Sequence, residues 1–333
     1  MRQRRLHAGN PRRVGLCLAV AAVLPAPTAL HAQFLQPPDT LERWLLEEEF
    51  ELGGMRGSRY PGDRTSQVQL FFENGESVLV KWARSAPGGD VWNNVPRYER
   101  AAYELQKLFL EPEEYCVPPT VLRPFPLAWY RETFDPEAGP TVEDTGSVLA
   151  VLQYWLLTVE PFEELDEERF ERDGAYARHI ANMNVLTYLI DHKDENEGNF
   201  LISRNENDPR TFSVDNGVAF RSRPSDRGTY WDEIRVNALP ARTVERLRSI
   251  TLEDLAGALA VVDQFEVAAD GSLERVEPTP TLDGRFGVRR EEGRIQIGLT
   301  DSEIEDVHDR LGDLLEEVGE GEVETLARGG GAR

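Results

Sequence analysis

Asp194-Glu195-Asn196-Glu197-Gly198-Asn199, followed sixteen residues later by Asp215-Asn216-Gly217, is the stretch on which the reading of this chain turns. An acid, a carboxamide five positions on and a second acid ahead of a glycine are groups able to hold a metal-bound nucleotide. Asp194 can accept the proton of an attacking hydroxyl. The amide of Asn199 and the carboxylate of Asp215 offer hard oxygens to a divalent cation lying against phosphate. Asn199 runs into the apolar Phe200-Leu201-Ile202, and Thr211-Phe212-Ser213-Val214 runs into Asp215, with residues 204–210 as a polar turn between them. Each polar group thus ends a short predicted strand, and the two strands can aim at one pocket. Asp191 is a rival base, but five positions beyond it lies Asn196, with no strand following.

Phosphates also need a cation from a strand that folds over the nucleotide, and that cation needs an acid to hold it. Val68 to Phe72 and Ser77 to Ala83 alternate as two strands, and Asn74-Gly75 between them is a hairpin signal. In the second strand Val78, Val80 and Trp82 share one face, and Leu79, Lys81 and Ala83 the other. Arg97 to Leu110 reads as a helix with Asn94 as cap and Pro96 in its first turn. Ala101, Ala102, Leu105, Leu108 and Phe109 form its apolar stripe. Glu99 near its start is the candidate partner of Lys81, and Glu104 competes with it. Upstream, Gly53-Gly54-Met55-Arg56-Gly57-Ser58-Arg59-Tyr60-Pro61-Gly62 is a candidate phosphate-covering loop. Val148 to Val159 is apolar enough for a buried strand leading into the connector Glu160 to Glu164. Backbone groups of Val151 to Leu156 can supply an adenine edge, with Leu156 as the residue singled out. Glycine-rich loop, strand lysine, helix glutamate, Asp-x-x-x-x-Asn and Asp-x-Gly therefore occur in that order.

The rest of the chain supplies helices and an insert. Thr40 to Glu49 reads as a short helix capped by Thr40, and Gly174 to Ile190 as a largely buried helix feeding the Asp194 loop. Ala241 to Ile250 and Leu252 to Val262 are helical. Residues 265–299 are rich in predicted strands around an Asp270-Gly271 turn. Thr300-Asp301-Ser302-Glu303 is a capping box for a helix reaching about Val318. Residues 319–333, ending in glycines, read as a disordered tail. Arg221, Arg223 and Arg227 form a local basic cluster, read either as solvated surface or as a grip for phosphate or an acidic acceptor.

The chain has 333 residues, 40% hydrophobic, enough for a large core. Residues 1–32 read as an export signal: five arginines within residues 1–13, an apolar run of eleven residues from Val14 to Leu24, then a small-residue region ending at Ala32. Eleven residues are too few for a stable span of the bilayer, so cleavage rather than anchoring is expected. Arg12-Arg13 also fits a loose twin-arginine pattern. Loss of this segment removes five arginines and no acid, making the formal charge of −23 more negative still. A surface this acidic repels nucleic acid and anionic lipid, and the absence of an amphipathic basic helix argues against a lipid acceptor. With Cys17 in the signal, Cys116 is left alone, with no intramolecular disulfide partner; a buried small hydrophobe is its default reading.

Tyr188-Leu189-Ile190 to Asn199-Phe200-Leu201-Ile202, then Ser213-Val214-Asp215-Asn216-Gly217-Val218-Ala219-Phe220, resembles the catalytic segment of type II phosphatidylinositol 4-kinases. It also resembles that of the secreted casein-kinase-like kinases of the Golgi and their bacterial relatives. Glu99 to Leu105 followed by Val117-Pro118-Pro119-Thr120-Val121 adds to the likeness, which covers roughly residues 50–262. It implies an α+β, bilobal protein-kinase-like fold with a small β-rich N-lobe (33–159) and a mostly helical C-lobe (160–318) holding the strand-rich insert. It further implies ATP with Mg²⁺ or Mn²⁺, Asp194 as base, Asn199 and Asp215 on the metal, and Lys81 with Glu99 on phosphate. His192-Lys193-Asp194 departs from the His-Arg-Asp of protein kinases, with the Lys193 ammonium as a possible neighbour of the transferred phosphate. A polar Asn216 replaces their phenylalanine, and no activation segment of their kind is found. The function expected is transfer of phosphate to a hydroxyl of a protein or glycan outside the cytoplasm: periplasmic, cell-surface or secreted. A nucleotide-binding pseudokinase and a nucleotidyl transferase on the same scaffold are the alternatives.

Overall fold

A computed structural model describes residues 33–57, 65–90, 95–194, 197–221 and 234–326. The export segment, the distal half of the glycine-rich stretch, Asn94, Arg223 and Arg227 lie outside the described residues.

The smaller lobe opens with helix α1 (Pro38–Glu47) and then builds one five-stranded antiparallel sheet. Its strands are β1 (Phe50–Gly57), β2 (Thr65–Phe72), β3 (Ser77–Arg84), β4 (Thr120–Pro126) and β5 (Ser147–Tyr154), in the order β1-β2-β3-β5-β4. Helix α2 (Pro96–Gln106) lies between β3 and β4, and α3 (Leu127–Thr133) between β4 and β5. The β2–β3 hairpin turns where Asn74-Gly75 predicts, with Gly75 at φ 85°, a conformation glycine reaches without a Cβ penalty. Period-two alternation is strict in β5. Val148, Ala150 and Leu152 enter one core with Val78, Val80 and Trp82, while Leu149 and Val151 enter another with Ala83 and Leu122. Both faces of the sheet are covered, so all eight residues of β5 are buried.

The first face is closed by α1 and by aromatics around α3: Trp82 packs with ring centroids 4.5 Å from Phe125 and 4.7 Å from Phe134. Beyond α2, the second face is closed by the insert. There β10 (Asp263–Val267), β11 (Leu273–Val276), β12 (Val288–Glu291) and β13 (Arg294–Ile297) form an antiparallel sheet in the order β11-β10-β13-β12. Phe265, Leu273, Ile295 and Ile297 from that sheet meet Ala83, Leu122, Leu149 and Val151. The strand-rich insert predicted from sequence is therefore a lid on the lysine-bearing face of the small sheet.

The larger lobe follows the connector. Strand β6 (Val159–Pro161), β7 (Phe200–Ser203) and β8 (Thr211–Ser213) pair in that order, and helices α4 (Glu167–Arg172) and α5 (Gly174–Leu189) lie between β6 and β7. Strand β9 (Ala238–Pro240), α6 (Ala241–Leu247) and α7 (Leu252–Leu259) lead into the insert, and α8 (Asp301–Glu320) with β14 (Glu324–Leu326) follows it. The large core joins Ile180, Met183 and Leu186 of α5 to Ile304, Val307 and Leu311 of α8 and to Ala101, Ala102 and Leu105 of α2. Helix α2 is thus rooted in the larger lobe's core as well as beside the small sheet.

Several expectations need correction. Helix α1 starts at Pro38, not Thr40, because proline's fixed φ suits the first helical position. Gly53, Gly54 and Gly57 lie inside β1, not in a loop. The β1–β2 register breaks between Leu52 and Met55, and a Cβ on Gly53 would sit 2.4 Å from the Phe71 ring. The apolar run from Val148 is interrupted after Tyr154, and Val159 belongs to β6. The stretch from residue 319 continues α8 to Glu320 and then pairs Glu324–Leu326 in parallel with β9, Val323 and Leu326 packing on the large core. The capping box at Thr300 and Glu303 is present in both directions.

Trp82 is 1% exposed and carries most of the aromatic cluster under the small sheet. Trp82→Ala should lower unfolding stability by about 3–5 kcal/mol, read by urea denaturation of the purified protein. A loss under about 1 kcal/mol would mean that this cluster does not organise the lobe.

Candidate active site

Strand β3 presents Lys81 on the face opposite Val80 and Trp82, and the residue is 8% exposed. Its ammonium lies 2.6 Å from Glu99 Oε1 on the first turn of α2 and also bonds a carboxylate oxygen of Asp215. Burial opposes the charge, but the carboxylates of Asp215 and Glu99 outweigh it and hold the lysine pKa above its ordinary value. Glu104, the competing acid, points elsewhere and pairs with Arg100 and Lys107. The other oxygen of Glu99 accepts the backbone N–H of Asn216 at 3.2 Å. Lys81, Glu99 and the Asp215 turn are therefore one bonded unit.

The second half of the site hangs on β7 and β8. Phe200 stands opposite Ser213, and the Val214 N–H donates to the Asn199 carbonyl at 2.9 Å, so Asn199 and Asp215 flank one end of the same ladder. Asp215 adopts φ 58°, a left-handed conformation that acids tolerate better than most residues. The following Asn216 keeps that turn in shape by bonding Ser213 with both ends of its amide, at 2.7 and 3.3 Å. The polar residue at this position is thus a turn lock and, through its backbone, an anchor for Glu99. Neither residue period nor motif order signals that second role.

Asp194 follows α5, in a loop pinned at two points. The His192 N–H donates to the Thr187 carbonyl and the Lys193 N–H to the Val218 carbonyl, at 3.0 and 2.9 Å. Asn199 Nδ2 donates to the Asp194 carbonyl at 2.8 Å, which leaves Oδ1 as the amide atom for a cation. The rival acid Asp191 is in an ion pair with Lys193 at 2.8 Å. That pairing occupies the Lys193 ammonium considered above as a neighbour of phosphate. Arg221 is likewise paired, through two nitrogens, with Asp306 of α8. Leu156 is buried in the small-lobe core, one residue beyond Trp155, whose N–H meets the Leu79 carbonyl at 2.8 Å.

Among the described residues no group of three or more His, Cys, Asp or Glu side chains is placed to hold a metal. What the site offers is the amide oxygen of Asn199 and the carboxylate of Asp215. These are hard oxygens suited to Mg²⁺ or Mn²⁺, too few to cage the ion without oxygens from a phosphate ligand or water. The donor chemistry fits a cation that arrives with a nucleotide. Cys116 is buried and its thiol pKa is pushed up to about 12 by burial, which makes it an inert packing residue.

His192 is buried against Phe200, ring centroids 5.3 Å apart, and burial pushes its imidazole down to about 4. The unfolded chain takes up that proton near the ordinary histidine value while the folded one refuses it. The stabilising effect is complete above about pH 6.5 and disappears as pH falls toward 4, amounting to about 3 kcal/mol across the window. His192→Phe should flatten this part of the stability curve, measured by urea denaturation between pH 7 and 4. A wild-type slope retained in the variant would remove His192 as its source.

No protein-family model and no curated protein matches the chain. Solved structures do. The chain is similar to the Golgi casein kinase with a TM-score of 0.50 and 13% identity, over 88% of this chain and 80% of that one. It is similar to the Hydra Fam20 structure with sugar at TM-score 0.46 and 15% identity, over 89% and 95%. To the Golgi casein kinase with Mn/ADP bound it is similar at 0.44 and 12%, over 84% and 75%. At such identities the likeness is one of fold: a β-rich small lobe and a largely helical larger lobe, similar to the fold of the Golgi casein kinase structure.

Proposed function

We propose that the chain is an ATP-dependent phosphotransferase acting, with Mg²⁺ or Mn²⁺, on a hydroxyl of a protein or glycan. The observation that carries this reading is the contact of Lys81 with both Glu99 and Asp215, three residues from β3, α2 and the turn after β8. The kinase-like scaffold supports it independently. In this reading Lys81 faces the phosphates of the nucleotide and Glu99 keeps the ammonium in place. Leu156 supplies backbone groups to the base, and Asn199 and Asp215 hold the cation. A bound divalent ion neutralises charge on the phosphate oxygens.

Asp194 takes the proton of the acceptor hydroxyl as the oxygen–phosphorus bond forms and the bond to the departing diphosphate breaks. The acceptor gains a phosphoryl group, the nucleotide leaves as ADP, and the proton is released from Asp194 to solvent. The basic, then apolar, opening of the sequence supports placing this activity outside the cytoplasm. No helix among the described residues is long and apolar enough to cross a membrane.

Purified protein incubated with ATP and Mn²⁺ should transfer γ-label, and not α-label, to itself or to an added acceptor. Asp194→Ala should reduce transfer by about 10²–10⁴-fold with nucleotide binding retained. Lys81→Met should weaken nucleotide binding in calorimetry, and Asp215→Asn should abolish its dependence on the divalent ion. Transfer of α-label would assign a nucleotidyl transferase, and binding without any transfer a pseudokinase. Equal transfer by Asp194→Ala and wild type would falsify the assignment of the base.

A further inference from the structure

We propose that Glu303, at the start of α8, is a positioning residue for the Lys81–Glu99 pair: through Arg97 and Tyr98 it fixes the turn of α2 that carries Glu99. The inference rests on the reading of Lys81 and Glu99 as nucleotide-site residues.

The first turn of α2 has no local cap. Val95 provides no side-chain cap, and Pro96 at the start contributes no N–H. The next two residues instead reach across to the end of the larger lobe. Arg97 donates to the two oxygens of Glu303 at 2.5 and 3.0 Å, and the Tyr98 hydroxyl bonds the same carboxylate. Arg97 is 8% exposed and Glu303 3%, so the bidentate pair is shielded from water and from salt. Glu303 is itself oriented by the capping box of α8, accepting the Thr300 N–H at 2.8 Å. The third guanidinium direction is used as well, Arg97 Nε donating to Asp90 at 2.7 Å.

The path of Arg97 is built into the insert. A Cβ on Gly287, just before β12, would lie 2.3 Å from Arg97 Nε, so a side chain there displaces the guanidinium. The same junction touches the other half of the site. The Tyr98 ring lies 5.1 Å from that of Phe220, and the Phe220 N–H bonds the Ile190 carbonyl at the head of the Asp194 loop. Glu99 stands two positions after Arg97 and meets Lys81 in one rotational setting of α2. A planar, two-point contact of Arg97 sets that rotation in a way that apolar packing alone does not.

The test uses the full chain with Glu303→Gln, Gly287→Ala and, as a control, Thr300→Ala. The control weakens the start of α8 by removing its cap but leaves the carboxylate on Arg97. Two quantities are read: the Kd for ATP with Mn²⁺ by calorimetry, and acylation of Lys81 by an amine-directed reagent, followed by mass spectrometry. Glu303→Gln and Gly287→Ala should each raise the Kd about tenfold and open Lys81 to acylation about tenfold faster. Thr300→Ala should lower Tm while changing neither quantity. Wild-type labelling and affinity in both site variants would overturn the proposal, as would the same changes in Thr300→Ala. Lys81→Ala separates the two layers of argument. If it leaves ATP affinity intact, the nucleotide reading fails, while Lys81 acylation in the Glu303 and Gly287 variants still decides whether Glu303 sets the position of α2.

Discussion

A buried ammonium is expensive unless carboxylates surround it, and the structure depends on meeting that demand at Lys81. Taking such a charge out of water costs several kcal/mol, recovered only when the geometry of its partners is good. Lys81 has two partners, one on α2 and one on the turn after β8. Neither is close in sequence, so the charge is satisfied only when small sheet, helix and larger lobe have all come together. The interaction that, in the proposed function, prepares the site for phosphate is therefore also a condition of assembling it.

The lobes are tied at several places besides this one. On one side of the connector, Phe34 packs 5.6 Å from Tyr154 at the end of β5 and 5.7 Å from Phe212 in β8. Arg210, 1% exposed, lies between the same aromatics and donates to the Tyr115 carbonyl. On the other side the insert sheet leans on β4 and β5, and Asp263 from its central strand pairs with Arg100 of α2 and with Arg275. Arg100 also reaches Glu42 of α1. Three distant segments thus hold one helix, each through an arginine that flanks Glu99.

What the sequence revealed was local or periodic. The β2–β3 hairpin, the face of Lys81, helix α5 and the α8 capping box all follow from side-chain period, turn chemistry or a cap, which act within a few residues. The site residues were legible for the same reason, since Asn199 and Asp215 each end an apolar run whose partner strand is nearby. Of the glycines at 53, 54 and 57, Gly53 misled because a glycine accommodating an aromatic ring across a ladder looks the same as one opening a loop. Only the position of Phe71 on the neighbouring strand distinguishes them. The Arg97–Glu303 pair spans 206 residues, and no pattern along the chain connects its two members. Glu303 was visible as a capping residue, and its second bond was not.

The two partners of Lys81 are not equivalent, and the difference suits the proposed chemistry. The Glu99 side chain is 5% exposed and the Asp215 side chain 52%. The Asp215 carboxylate is open to solvent, which screens its share in Lys81 and makes that share the more exchangeable of the two. Removing Glu99 instead would leave the ammonium buried with its inner counter-charge gone, which costs far more. In the proposed reaction Asp215, and not Glu99, would be within reach of a divalent cation from solvent. With Asp215 so engaged, one direction of the Lys81 ammonium would be left for phosphate. Glu99 is then the permanent partner and Asp215 the exchangeable one, a division set by depth of burial and not by residue type.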